Sequence, residues 1–131
     1  MFNKKKQPPI KSLIAQGTQI KGDLLFSDGL RIDGGVEGNV LAHAELSSIL
    51  VISETASVRG DVTADHIIVN GVVEGPIHAR HMLELQPKAR IQGDVRYAAL
   101  EMHQGALITG KLEPILGQEE KPTLTLAASN G

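Results

Sequence analysis

At 131 residues the chain has room for one domain of ordinary size with tails, and its two Phe, one Tyr and no Trp leave any core to be built from Ile, Leu, Val and Ala. The absence of cysteine excludes a disulfide framework, a cysteine-ligated zinc and a thiol nucleophile, and favours a reducing compartment. Residues 1–11 hold Lys4, Lys5, Lys6 and Lys11 without an acid, whereas the other 9 basic and 15 acidic residues leave the body at −6, which argues against a body that grips nucleic acid through a basic face.

The opening "MFNKKKQPPIKSLIAQG" lacks the apolar run of a signal peptide, and no segment reaches the ~20 apolar residues of a membrane span, so a soluble or peripheral protein is expected. Residues 1–11 read as a disordered arm. From residue 12 a new rhythm begins, in which an aliphatic is followed two residues later by glycine: Ile20/Gly22, Val36/Gly38, Val58/Gly60, Val73/Gly75, Ile91/Gly93 and Ile108/Gly110. A further aliphatic follows each glycine by two, at Leu24, Val40, Val62, Ile77, Val95 and Leu112. Apolar residues at a period of two are the mark of strands.

The units match at greater depth. Positions 10, 8, 4 and 2 before the glycine read Leu50, Ile52, Ala56, Val58, then Leu83, Leu85, Ala89, Ile91, then Leu100, Met102, Ala106, Ile108. A second sub-type runs through Leu30, Ile32, Gly34, Val36, Gly38 and Val40, and again through Ile67, Val69, Gly71, Val73, Gly75 and Ile77. Successive glycines are 16, 22, 15, 18 and 17 residues apart, and the 22-residue step points to an insertion near "LAHAELSS". There Leu46, Ile49 and Leu50 also fit a helical spacing, so a short helix over residues 41–50 is the alternative to strand.

A unit of this length cannot bury its own apolar face, but stacked copies can. The expected fold is therefore all-β: a single-stranded parallel β-helix of about six triangular turns over residues 12–116, with aliphatic ladders inside and glycine where the backbone bends or packs too closely for a Cβ. At ~4.8 Å per turn the rod is ~29 Å long. Residues 117–131, with "EEKPTLTLAASNG", read as a disordered tail.

Several stretches imitate chemistry. "GALITGKL" at 105–112 has the spacing of a phosphate-binding loop, but Leu112 stands where Ser or Thr would meet magnesium and no helical pattern follows. Arg59-Gly60-Asp61 is the repeat with an arginine in it, beside "IQGD" and "IKGD". His43, His66, His78, His81 and His103 have neither cysteine nor a clear carboxylate partner along the chain, and Asp23, Asp61 and Asp94 read as a ladder of solvated turns. No catalytic residue, cofactor, nucleotide or metal is expected.

A β-helix ends in unpaired strand groups and an open apolar cross-section. Neither flank offers an amphipathic helix as a cap, so the ends are expected to cap one another, through Ile14, Ile20, Leu24 and Phe26 at one end and Leu100, Ile108, Leu112 and Ile115 at the other. In the arm, Phe2 beside Lys4, Lys5 and Lys6 offers an apolar plug and a positive patch for an anionic membrane surface.

Through the turns "IKGDL", "VEGNV", "VRGDV", "VEGPI", "IQGDV" and "ITGKL", the chain resembles the bactofilins, a family of bacterial polymer-forming cytoskeletal proteins. The arm "MFNKKK" is similar to the Met-Phe-lysine peptide by which many members reach the membrane, which brings Met1 into the set with Phe2 and the three lysines. The resemblance implies a right-handed β-helix, nucleotide-independent assembly into non-polar filaments, and a scaffold role at the inner face of the cytoplasmic membrane in cell shape or peptidoglycan growth, with cell-wall hydrolases or synthases as partners. Unlike relatives with a phenylalanine in the last turn, residues 107–116 have none. The competing classes are a hexapeptide-type acyltransferase with a left-handed β-helix, whose aliphatics recur every six residues, and a monomeric β-solenoid adaptor.

Overall fold

The computed structural model describes residues 9–115, and every regular element among them is a β-strand. In chain order these are β1 (Ile10–Ile14), β2 (Gln19–Lys21), β3 (Leu24–Phe26), β4 (Asp28–Ile32), β5 (Gly35–Glu37), β6 (Val40–Ala42), β7 (Ser48–Ile52), β8 (Ser57–Arg59), β9 (Val62–Val69), β10 (Val72–Glu74), β11 (Ile77–Leu85), β12 (Arg90–Gln92), β13 (Val95–Met102), β14 (Leu107–Thr109) and β15 (Leu112–Pro114). All pairings are parallel and join a strand to one a whole turn away: Ile20 lies beside Val36, Val36 beside Val58, and the row continues through Val73 and Ile91 to Ile108. The chain is thus a parallel β-solenoid of about six turns.

Each turn visits three faces. The first face stacks β1, β4, β7 and the C-terminal parts of β9, β11 and β13; the second stacks β2, β5, β8, β10, β12 and β14; the third stacks β3, β6, the N-terminal parts of β9, β11 and β13, and β15. The long strands β9, β11 and β13 round the corner from third face to first without a break, and β11 does so through a register shift between Ala79 and Met82. Alternation sends every second side chain inward, giving rows such as Ile14, Ile32, Ile52, Val69, Leu85 and Met102 up the first face. Ile32, Ile52, Val69 and Leu85 are fully buried. Tyr97 is the aromatic of this core, and burial pushes its phenol pKa up.

The glycine beat marks the corner between the second and third faces. At Gly60, φ is +149°, a conformation that L side chains rarely adopt, and a Cβ there would run into the carbonyl oxygen of Gly38 one turn away. The two sub-types of repeat differ at the corner between the first and second faces. Four turns round it with a hydrogen-bonded tetrapeptide, closed by Thr18 N to Ala15 O (3.0 Å), Ala56 N to Ser53 O (3.0 Å), Ala89 N to Gln86 O (3.0 Å) and Ala106 N to His103 O (3.2 Å). The other two use the dipeptides Asp33-Gly34 and Asn70-Gly71, where a Cβ on Gly71 would strike the carbonyls of Ser53 and Ala56.

The helical alternative for residues 41–50 is not what forms. The segment is the end of β6, a loop at residues 43–47 and the start of β7, and Leu46 is exposed in that loop. Pairing with the turns on either side decides the outcome, since Leu50 stacks on Leu30 and Ile67. The extra residues of the 22-residue step are held by a polar clamp. Arg80 donates from Nε to Asp65 Oδ1 (2.8 Å) and from Nη2 to the carbonyls of Ala42 (3.4 Å) and His43 (3.2 Å). Ser48, a buried polar residue, accepts from Asp65 N (2.9 Å), while its own N donates to Asp65 Oδ2 (3.2 Å).

Candidate functional site

Solenoid geometry makes the two ends chemically unlike the middle. An inner strand has a partner on both sides, whereas β1, β2 and β3 pair only toward the body, as do β14, β15 and the last part of β13. Among the described residues nothing covers these edges.

The structure gathers the first-end set on one turn. Ile14 lies on the first face, Ile20 on the second, and Leu24 and Phe26 on the third; all four are half-buried, packed against the core from below and lacking a turn above. At the other end Leu100 is a buried inward rung, Ile108 and Ile115 are half-buried, and Leu112 is 47% exposed. Ile115 is tied down by its N–H to the Tyr97 carbonyl (2.8 Å). Sequence reasoning missed Met102, which ends the row that Ile14 begins, although the match to Leu85 and Ile52 held the signal. It also missed Ile10 and Leu13, exposed on the first strand. Met1, Phe2, Lys4, Lys5 and Lys6 lie outside the described residues.

The outer faces carry charge in rows. Arg59 pairs with Glu74 (3.1 Å) and Arg96 with Glu113 (3.6 Å) across adjacent turns, and Lys11 pairs with Asp28 (3.2 Å). Asp33 is held below the usual carboxylate range by hydrogen bonds with Ser53 and Arg31. Next to the corner glycines, side chains cap the neighbouring turn: Asn39 N donates to Asp23 Oδ1 (2.9 Å), Asp61 N to Asn39 Oδ1 (2.8 Å) and Lys111 N to Asp94 Oδ1 (2.9 Å). This is the polar ladder expected of the Asp positions, with Pro76 as its one rung lacking an N–H.

The imitation motifs resolve into the repeat. Residues 105–112 run as turn, strand β14, corner and the start of β15, so the helix a phosphate loop requires does not follow. His78 is outward on the third face, where burial and then the charges of Arg96 and Arg80 lower its pKa. His103 behaves differently from the expectation drawn along the chain, because stacking brings Glu84 and Glu101 to it.

The fold and its ends define a class: a β-solenoid whose end strands are paired on one side only and whose end residues Ile14, Ile20, Leu24, Phe26, Met102 and Ile108 are only half-buried. Residues 12–113 match the bactofilin family, polymer-forming and cytoskeletal, and the chain belongs to that family. It is 29% identical over 102 residues to bactofilin BacP of Myxococcus xanthus (strain DK1622), covering 78% of this chain and 41% of that protein. To bactofilin BacO of the same organism it is 23% identical over 112 residues, 86% of each chain. The chain thus spans less than half of BacP and most of BacO. No solved structure matches it at a significant level. No helix among the described residues is long and apolar enough to cross a membrane.

Proposed function

We propose that this cytoskeletal protein assembles end to end into non-polar filaments without nucleotide, and that the filaments lie on the inner face of the cytoplasmic membrane as a non-enzymatic scaffold for cell shape or peptidoglycan growth. The observation that carries the reading is the contrast along the rows Ile14–Met102, Ile20–Ile108 and Leu24–Leu112, where the inner rungs are fully buried and both terminal rungs are not. Joining like ends would bury them and yield a filament without polarity. Covering ~400 Å² of apolar area is worth ~10 kcal/mol gross, against association costs of at least ~4 kcal/mol, which supports assembly at micromolar concentration.

The arm supplies the attachment. Phe2 and the three lysines together contribute ~5 kcal/mol at an anionic surface, a near-millimolar affinity for a single copy that a filament multiplies into stable adhesion. Cell-wall hydrolases or synthases are the expected clients of such a track.

Negative-stain microscopy of the purified protein without nucleotide tests the assembly: filaments are expected, and fewer or none for Leu112→Arg and Ile20→Arg. Sedimentation of both variants identical to wild type would count against the ends as the joint. For the arm, Phe2→Glu should pellet less with anionic liposomes than wild type, and equal pelleting would rule the arm out.

A further inference from the structure

We propose that Glu84, Glu101 and His103 form a binding site for a divalent transition-metal ion of the zinc type, on the outer face near the C-terminal end of the solenoid. Glu84 and Glu101 occupy the same position on adjacent turns, paired in register between β11 and β13, and both point outward. His103 follows at the corner immediately after β13, one residue beyond Met102. One ligand atom from each of the three lies within 4.8 Å of the other two.

The two separations from His103 match a tetrahedral ion. Zinc–ligand bonds of about 2.0–2.1 Å place neighbouring ligand atoms about 3.4 Å apart. His103 Nε2 is 3.3 Å from Glu101 Oε2 and 3.6 Å from Glu84 Oε2. His103 Nε2 is also shielded from solvent and makes no hydrogen bond to either carboxylate. Two carboxylates side by side on neighbouring strands repel, and an ion between them removes that cost.

The surroundings fit a ligand set. Gln86 donates from Nε2 to Glu84 Oε2 (2.5 Å), fixing that carboxylate from the side as outer-shell groups do for metal ligands. His66 stands one turn further back with Nε2 4.0 Å from Glu84 Oε1. A nitrogen and two oxygens suit zinc or cobalt, whereas calcium requires six or more oxygens and magnesium a near-octahedral oxygen shell. Bridging the last two turns, the ion would lock the terminal turn to the body. The proposal stands apart from the filament reading, since a monomer would bind equally well.

The test uses the full chain, free of any histidine tag and stripped with chelator. Equilibrium dialysis against zinc chloride is expected to give one ion per chain, with affinity at least ~10-fold weaker in Glu101→Gln and His103→Ala. Cobalt chloride should produce the intense visible absorption of tetrahedral Co²⁺ in wild type, lost in both variants. Glu101→Gln keeps the shape of an outward side chain, and an unchanged far-ultraviolet dichroism spectrum shows that its fold persists if His103→Ala fails to fold. Equal zinc affinity in wild type and Glu101→Gln, or a cobalt spectrum no stronger than that of the hydrated ion, would overturn the proposal.

Discussion

Ile14 and Met102 are the first and last rungs of one row, and both are half-buried although the four side chains between them are sealed from solvent. A rung with a neighbour on one side only loses about half of its packing, so the deficit belongs to position in the stack and not to residue type.

Met102→Lys should therefore affect assembly far more than folding. A lysine can lead its charge out of the open mouth while its stem stays against Leu85, costing the isolated domain less than ~1.5 kcal/mol. The same change at the sealed position Leu85 should unfold it. Comparing dichroism melting with filament yield separates the two: Met102→Lys folded and not polymeric, Leu85→Lys unfolded.

Gly60→Ala should destabilise by ~2–4 kcal/mol, combining the cost of the positive φ with the clash against the Gly38 carbonyl. Gly17 also has positive φ, but a Cβ there meets nothing within 4 Å, so Gly17→Ala should cost only ~1 kcal/mol. Urea midpoints of the two variants, measured in an assembly-defective background, check the difference.

Asp65→Ala leaves the Arg80 Nε–H and the Ser48 N–H without their acceptor and should cost ~2–3 kcal/mol. Removing both partners, in Asp65→Ala with Arg80→Ala, should cost less than the sum of the single changes. A double-mutant cycle in urea reads the coupling. Proteolysis within residues 43–47 should quicken in Asp65→Ala, because the Arg80 clamp on the Ala42 and His43 carbonyls loosens with it.

Stability should fall on mild acidification. His78 has its folded pKa below the ordinary value of 6.5 because of burial first and then Arg96 and Arg80. Above pH ~6.5 the ring is neutral in both states and contributes nothing; as pH drops through that value the unfolded chain takes the proton first, and the penalty is complete below the folded pKa. His78→Gln should remove this part of the loss between pH 8 and pH 5, seen as a smaller change in urea midpoint than in wild type. The carboxyl of Asp33, also lowered, acts only as pH falls through ~3.8 and leaves that window clear.

Much of this architecture was legible in the sequence because solenoid packing writes itself twice, as a period of two along a strand and as a recurrence once per turn. Gly60 and Val58 betray the corner and the inward row whatever the neighbouring turn contains. Residues 41–50 were ambiguous because Leu46, Ile49 and Leu50 satisfy both spacings, and only stacking on Leu30 and Ile67 breaks the tie. The ion site was hidden for the same reason. Glu84 and His103 are 19 residues apart in the chain, yet aligning Leu83 with Leu100 places Glu84 on Glu101 and Gln86 on His103. The bend at Ala79 to Met82 left no such trace, since Ala79-Arg80-His81-Met82 rounds it without a glycine or proline.

The corner glycines all face the same way, each backed by the carbonyl of the one before it, and that regularity reaches beyond this chain's own stability. Adding or deleting a complete coil would lengthen or shorten the rod by ~4.8 Å while leaving both termini chemically untouched. In an end-to-end filament the spacing between successive joints would thus change independently of their strength, and two paralogues of unequal length could still share one polymer if their outermost coils agree.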